Sequence, residues 1–432
     1  MRLSHGFMEE NNRLLDANEL YDGGTKAIAG SPFKYGTQLF EMNHLVETAK
    51  LQKKLQEGTY RPSPGKKRPI SERGHRRYIT CSKMVDKAVA DTLCESIIMP
   101  SISRFLIYDN TASQPHKGVS LHRRRLLWHL QKYYRRYGSF DGWILLVDFS
   151  GYYPNMVHDI DRKLMMGLVR KSGFCTESEL SLADDLIRWT FQTMETDVSR
   201  FSDAEIRQMY RGKVDPELNA HVSKKLLTGK KMLRKGVDIG NRVSQCSGIV
   251  HPYRIDNYLK IVRGCKYMSR YTDDTRLMNP SKEFLEDCLR QIRRQADQIG
   301  VIVNEKKTRI QPLRKPFRHL QIMYISREDG TVVRKINPKS ITRERHKLKA
   351  YRRLLDDGRM SYPEVENAFK SWLCTNCNVM SWRQIYNLGA LYLSLFGRRP
   401  TWKRKHSRLT WLMTHRSPAW SSTETAISVA KK

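Results

Sequence analysis

The chain has 432 residues, enough for a sizeable core and for two or three subdomains. Hydrophobic residues make up 39% and charged ones 28%, and no apolar run approaches the roughly 20 residues of a membrane helix, which excludes a disordered chain and a helical membrane span. The 78 Lys and Arg against 44 acids leave a net charge of +34, costly through self-repulsion without a polyanionic partner; phosphate backbones are expected, and the charge does not choose between RNA and DNA.

The N-terminal residues lack an apolar signal core, so a cytosolic location is expected. Residues 1–60 read as mostly helical, from Leu14-Leu15, Leu39-Phe40 and Leu45-Val46. The block Gly65 to Thr80, rich in Arg, Lys and Gly, suits a mobile β-hairpin with positive side chains. Met84, Val85, Ala88, Ala90, Leu93 and Ile97 predict an amphipathic helix over 83–99. A strongly basic helix follows over 121–137, with Leu126, Leu127, Leu130 and Tyr134 facing the core and Arg and Lys facing out. Trp143 to Val147 is a continuous apolar run, as in a buried strand, with Asp148 at its end. The long interval from Asp148 to Gly236 reads as a helix plus an enlarged insertion; it holds a buried helix over 180–194 and a basic stretch from Ser223 to Lys235. Around Tyr271-Thr272-Asp273-Asp274, two short strands joined by a tight turn are predicted. A helix over 284–299 places Leu285, Cys288, Ile292 and Ala296 on one side, and residues 338–396 read as a helical bundle.

From Gly397 on, Arg398, Arg399, Lys403, Arg404, Lys405, Arg408 and Arg416 interleave with Trp402, Trp411 and Trp420. Basic residues track phosphates and aromatics stack on unpaired bases, so Trp402, Arg404, Lys405 and Trp411 are candidates for a single-strand site. A helix packed on the bundle with a solvated outer face is the equal alternative. Residues 421–432 read as disordered. The eight cysteines show no framework spacing and read as small apolar residues. Cys374-x-x-Cys377 lacks the second pair or spaced histidines of a zinc site and is read as structural.

The chemistry lies in the carboxylates. If the strands around Tyr271 neighbour the strand that starts at Trp143, Asp148 and Asp273 converge, and with Asp274 three carboxylates share one small volume. Like charges that close repel unless cations neutralise them. A pair of Mg²⁺ ions, hard cations that take oxygen ligands, is the natural neutraliser, with Mn²⁺ as substitute. Two such ions about 4 Å apart clamp the attacking and leaving oxygens of an in-line phosphoryl displacement. An Asp pair alone reads as a solvated turn, and an Asp ending a strand reads as a cap. What decides is the order of fragments, with Lys235 to Gln245 between them and Gly300 to Ile310 after them.

That order resembles the reverse transcriptase family. Asp148-Phe149-Ser150-Gly151-Tyr152-Tyr153 is similar to its first palm motif, and Ile239-Gly240-Asn241 with Ser244-Gln245 to its nucleotide-facing motif. Tyr271 to Asp274 resembles its Tyr-x-Asp-Asp signature, Asn304 to Ile310 its Asn-x-x-Lys-Thr segment, and Phe317 to Leu320 the turn into the thumb. Glu72 to Ile79 and Met84 to Val89 resemble the fingers; Ile107 to Ser113 with Lys117-Gly118 resembles the segment entering the palm. The resemblance is collinear over residues 55–380. Thr275-Arg276 depart from it, standing where many relatives have apolar residues.

The resemblance implies an α+β fold, a right-hand polymerase with fingers, ferredoxin-like palm and helical thumb. Residues 1–110 would be N-terminal helices and fingers, 111–330 the palm with an insertion around 160–235, 331–397 the helical thumb, and 398–432 a basic Trp/Arg tail. It implies an RNA-directed DNA polymerase using two Mg²⁺ ions, with structured RNA as template, dNTPs as substrates and DNA as product. RNase H and endonuclease activities are not expected. The Ile-Gly-Asn-x-x-Ser-Gln form and compact thumb look closer to bacterial enzymes of diversity-generating elements and to defence-associated ones; the large insertion and Trp/Arg tail favour the second group, which implies a partner non-coding RNA and antiphage defence. A mobile or diversity-generating element is the alternative, as is template-independent or protein-primed synthesis.

Residue roles follow from the same resemblance. Asp148 and Asp273 would ligate metal, with the Phe149 carbonyl; Asp274 would complete the cluster from further away. Tyr153 would exclude the 2′-hydroxyl, with Tyr152 competing because Pro154 can shift the register. Gln245 would touch the sugar or base. Arg76 and Arg77 are candidates for the triphosphate, since a guanidinium fork matches phosphate oxygens. Lys307, or Lys306, is the candidate general acid for pyrophosphate. Each basic residue among them has an exposed, solvated side chain as its alternative reading.

Overall fold

The structure, a computed structural model, describes residues 12–72, 75–215, 218–219 and 222–402, with 72, 75 and 76 placed by backbone alone. The chain divides into two units. One holds the described residues up to Tyr137 with Asp141–Leu313; the other holds Gly138–Phe140 with the described residues from Arg314 on.

The first unit begins with helices α1 (Ala17–Ala29), α2 (Tyr35–Met42) and α3 (His44–Gln56). Asp16 starts α1 by accepting the amides of Asn18 and Glu19, donors that a helix start leaves unpaired. A hairpin follows, β1 (Lys66–Glu72) with β2 (His75–Cys81), antiparallel throughout. Next come α4 (Met84–Thr92), a wider helical turn at Leu93–Ile98, and α5 (Met99–Ile102). Helices α1 and α4 touch closely: a Cβ on Gly23 would come within 2.1 Å of Thr92 Oγ1, so glycine permits the approach.

Helix α6 (Val119–Tyr137) buries His122, Leu126, His129, Leu130 and Tyr133. Tyr133, not the expected Tyr134, is the core ring, and Leu127 is only half-buried. The buried positions form one stripe on which Tyr133 lies centrally, and Tyr134 lies about 100° further round the helix, at its edge.

After α6 come β3 (Trp143–Val147), β4 (Phe149–Ser150), α7 (His158–Ser172) and α8 (Glu177–Gln192). Then follow β5 (Thr196–Asp197), α9 (Asp203–Arg211) and β6 (Met232–Leu233). β5 pairs with β6, and Val198, Val214 and Leu233 form a small apolar cluster of their own. Lys235, buried, donates its ammonium to the carbonyls of Met209 (3.0 Å), Tyr210 (3.1 Å) and Gly212 (2.9 Å), so a cation caps the C-terminal end of α9. Burial pulls this ammonium down to about 8.

The chain continues through α10 (Arg242–Val250), α11 (Tyr253–Asn257), β7 (Tyr267–Tyr271), β8 (Asp274–Asn279), α12 (Lys282–Gln298), β9 (Ile302–Val303) and β10 (Arg309–Pro312). The main sheet has the order β10-β3-β8-β7, every neighbour antiparallel. In chain order that is four-one-three-two, with helices between the first and second strands and between the third and fourth: a split β-α-β-β-α-β unit. β3 is buried along nearly its whole length, as its unbroken apolar run requires. Leu145, Val147, Met268 and Leu277 from the sheet join Leu285 and Ile292 of α12 in one core cluster. Thr275 and Arg276 lie buried within β8, which pairs on both sides; Arg276 Nε donates to Ser269 Oγ at 3.2 Å.

The second unit has a three-stranded antiparallel sheet, β11 (Phe317–His319), β12 (Ile322–Ser326) and β13 (Val332–Ile336). Helices α13 (Pro338–Asp356), α14 (Tyr362–Asn376) and α15 (Trp382–Phe396) follow, where a helical bundle is predicted. Ser361 with Glu364 and Ser381 with Gln384 form capping boxes that start α14 and α15. Leu348, Phe369, Leu373, Leu388 and Tyr392 form the cluster between them. Among the described residues no helix is long and apolar enough to cross a membrane.

Candidate active site

Three positions bring carboxylates to one end of the main sheet. The pairing of Val147 with Thr275 makes Asp148 the next residue opposite Asp274. The pairing of Tyr271 with Asp274 closes a two-residue turn, Thr272-Asp273. Asp148, Asp273 and Asp274 therefore share that end.

Asp148 is held by the segment after β9. Asn304 donates its amide N to the Asp148 carbonyl at 2.8 Å and its Nδ2 to Asp148 Oδ2 at 2.9 Å. The Asp148 amide donates to Thr308 Oγ1 at 3.3 Å. Lys307 Nζ lies 3.1 Å from Oδ2 and 3.3 Å from Oδ1 of the same carboxylate. Asn304, Lys307 and Thr308 thus all touch one aspartate. Lys307, not Lys306, reaches it.

The other two carboxylates feel one another and their burial. Asp273 is pushed up by burial and by the charge of Asp148, against Lys307 and Arg77. Asp274 is pushed up to about 7, first by burial and next by Asp273. Among the described residues no group of three or more His, Cys, Asp or Glu side chains stands in a metal-binding arrangement. The donor chemistry, carboxylate oxygens without thiol or imidazole, fits a hard divalent cation. Lys307 and Asn304 donate to the two Asp148 oxygens, so a cation there would compete with the Lys307 ammonium for them.

The turn is held from beneath. Thr272 has φ of +54°, uncommon for a β-branched residue. Arg270, fully buried, donates to the Thr272 carbonyl at 2.8 Å and to the carbonyls of Gly248 (3.2 Å) and Ile249 (2.7 Å). Its Nε faces both oxygens of the buried Asp256, at 3.0 and 2.7 Å. Sequence reasoning missed this pair. A lone Arg in an apolar strand was the available signal, and nothing marked Asp256.

The remaining candidates divide. Phe149 is buried in β4 and pairs with Val303. Tyr152 is buried and donates its hydroxyl to the Gly248 carbonyl at 2.9 Å. Tyr153 is half-buried, its hydroxyl pushed up to about 12 by burial and then by the charge of Asp273. Arg77 is exposed on β2, and its charge acts on Asp273. Arg76 is placed in β2 by its backbone. Gln245, half-buried on α10, accepts from Arg242 Nη1 at 2.9 Å. The loop before α10 meets the hairpin: Thr80 donates its amide to the Ile239 carbonyl at 3.0 Å. Gly240 has φ of +113°, and a Cβ there would lie 2.9 Å from Thr80 O, which explains glycine at this position. Trp402 packs half-buried against the cluster of the three C-terminal helices, near Lys370. Arg404, Lys405 and Trp411 lie outside the described residues.

No protein-family model and no curated protein matches the chain. Among solved structures it is similar to telomerase from Candida albicans in complex with a TWJ fragment of telomeric RNA, at 12% identity and a TM-score of 0.40, covering 83% of this chain and 64% of that one. Apo telomerase from Candida tropicalis gives 12% identity and a TM-score of 0.44 over 82% of this chain and 62% of that one. A form of the latter truncated from the C-terminal domain gives 12% identity and 0.38, over 62% and 54%. The chain spans less than two thirds of the length of these telomerases.

Proposed function

We propose that this chain is an RNA-directed DNA polymerase. The observation that carries the reading is the meeting of Asp148, Asp273 and Asp274 at one sheet end, with Lys307 on Asp148 and the charge of Arg77 acting on Asp273. In this reading β1–β2 belongs to the fingers, the main sheet with α7 and α12 is the palm, and α13–α15 form the thumb.

Asp148 and Asp273, with the Phe149 carbonyl, would hold two Mg²⁺ ions, or Mn²⁺ in their place, while Asp274 adds charge. Bound there, the ions supply neutralisation of the phosphates during in-line displacement. The primer 3′-oxygen attacks the α-phosphorus of a dNTP, the bond to pyrophosphate breaks, and the hydroxyl proton passes to solvent. Lys307 leaves Asp148 and protonates the departing pyrophosphate. Arg77, with or without Arg76, takes triphosphate oxygens. Tyr153 sits under the sugar and leaves no room for a 2′-hydroxyl, and Gln245 turns from Arg242 to the nucleotide.

The setting we infer is bacterial antiphage defence in the cytoplasm, with a partner non-coding RNA as template. The insertion around 160–235 and the basic Trp/Arg tail favour it over a diversity-generating element, which the form of the 239–245 segment fits equally. Primer extension on an RNA template with dNTPs and Mg²⁺ is the test. Asp148→Asn and Asp273→Asn should each abolish it while the chain still unfolds in one cooperative transition. Extension that survives both substitutions, or survives chelation of divalent ions, refutes the reading. Sequencing the RNA that copurifies tests the template.

A further inference from the structure

Beside the main sheet, cations and aromatic rings alternate on one surface. Tyr108 is 62% exposed and Trp128, on the outer face of α6, is 41% exposed. Between them stands the Arg125 guanidinium, 5.1 Å from the Tyr108 ring centre and 4.3 Å from that of Trp128. Lys117 Nζ lies 5.3 Å from the Tyr108 ring on one side, and Lys132 Nζ lies 5.4 Å from the Trp128 ring on the other.

This array is fixed in place. Arg125 donates to both oxygens of Asp109, a buried carboxylate, at 2.6 and 3.2 Å. Lys117 donates to the carbonyls of Tyr108 and Asn110, both at 3.1 Å. Asp109 is shared between Arg125 and Lys260, whose Nζ donates to it at 2.9 Å, and holding Arg125 there positions the two rings. Other cations are uncommitted. Arg124 and Arg135 are exposed on α6, a helix without a single acidic residue, and among the described residues neither they nor Lys132 has a carboxylate partner.

A solvated face accounts for the charge but not for two large rings left in water between cations, since apolar area gains by burial. The helix that carries this face also runs away from the carboxylate end of the sheet. Near its start α6 meets Tyr271, the His122 ring lying 5.4 Å away, and further along Tyr133 meets Tyr267 at 5.6 Å.

We propose that Tyr108 and Trp128 form a stacking platform for single-stranded nucleic acid, with Arg124 and Lys132 on its phosphates. The platform lies outside the carboxylate site. It rests on the functional reading above only in taking a nucleic acid as partner. Unpaired bases on a phosphate backbone are common to RNA and DNA, and the choice belongs to the experiment.

Fluorescence anisotropy on the full chain provides it, with labelled rU12, dT12 and a blunt RNA duplex as probes. Tyr108→Ala and Trp128→Ala should each raise Kd for single strands about 5- to 150-fold, spare the duplex, and be rescued by Trp128→Phe at the second position. Arg124→Gln with Lys132→Gln should lower the log–log salt slope by about 1.4. The tighter of rU12 and dT12 identifies the natural strand. In the unaltered protein, either oligonucleotide should shield Lys132 from acetylation, a readout independent of variant folding. Unchanged single-strand Kd in both ring variants, equal loss on the duplex, or unshielded Lys132 overturns the platform. Primer extension by the ring variants at saturating primed template should match wild type, so failure of the platform leaves the polymerase reading standing. A wild-type chain that binds none of the probes overturns the platform and the nucleic-acid reading together.

Discussion

Burial and the neighbouring Asp273 push Asp274 up to about 7, so the folded chain favours this carboxyl protonated where the unfolded chain has already lost the proton. A raised carboxyl contributes its stability below its ordinary range near 4 and loses it as pH rises through 7. In divalent-free buffer, Asp274→Asn, which cannot ionise, should therefore melt higher than wild type at pH 8 and at the same temperature near pH 4. Each pKa unit corresponds to about 1.4 kcal/mol, so the gain is on the order of 4 kcal/mol at most. Equal melting temperatures at pH 8 would show that the carboxylate carries no such cost. Arg270 is the second residue whose role is testable alone. Arg270→Met strands the buried Asp256 charge and should cost about 3–5 kcal/mol in denaturant titration. Adding Asp256→Leu should restore stability but not nucleotide incorporation, because the Thr272 carbonyl stays unheld and the turn loses its shape. Incorporation that recovers along with stability would leave Arg270 only a structural part.

At the scale of elements, periodicity carried most of what the sequence revealed. The apolar run from Trp143 predicts β3, the spacing of Leu285, Cys288, Ile292 and Ala296 predicts α12, and residues 338–396 read as the bundle that contains α13–α15. Tyr133 and Tyr134 show the limit of that method, since adjacent aromatics at one end of a stripe are told apart only by the ring that packs, here against Tyr267. Asp148, Asp273 and Asp274 were legible through the order of the fragments around them, since a strand end or a tight turn alone reads as a cap or a solvated loop. The hold of Asn304 and Thr308 on Asp148 was not. It joins residues 156 and 160 positions apart, and only the pairing of β4 with β9 and β10 with β3 brings them together. The Arg270–Asp256 pair was hidden for the same reason, and Tyr108, Arg125 and Trp128 align only once α6 has packed along β7.

Over the whole molecule, segment 196–233 stands out. Thr196 faces Leu233 across β5–β6, so its two ends lie side by side, and Val198, Val214 and Leu233 give it an apolar centre apart from the main core. Ties cross from the flanking chain: Asn155 Oδ1 accepts from the Val214 amide at 3.3 Å, the Arg234 amide donates to the Tyr210 hydroxyl at 3.0 Å, and the Lys235 ammonium is seated on three carbonyls from within the segment. Replacing residues 198–231 by an Asn-Gly turn should strip that ammonium of its three acceptors, a loss of about 1–3 kcal/mol for each acceptor not replaced, at the low end of polar burial. The shortened chain should therefore melt higher when Lys235→Met is added, whereas Lys235→Met in the full chain should lower the melting temperature. The same sign in both backgrounds would contradict this. The segment is then a cartridge with a latch. What lies beyond the two short strands is free to be exchanged without rebuilding the carboxylate end of the sheet, provided the replacement offers carbonyl oxygens to the waiting lysine.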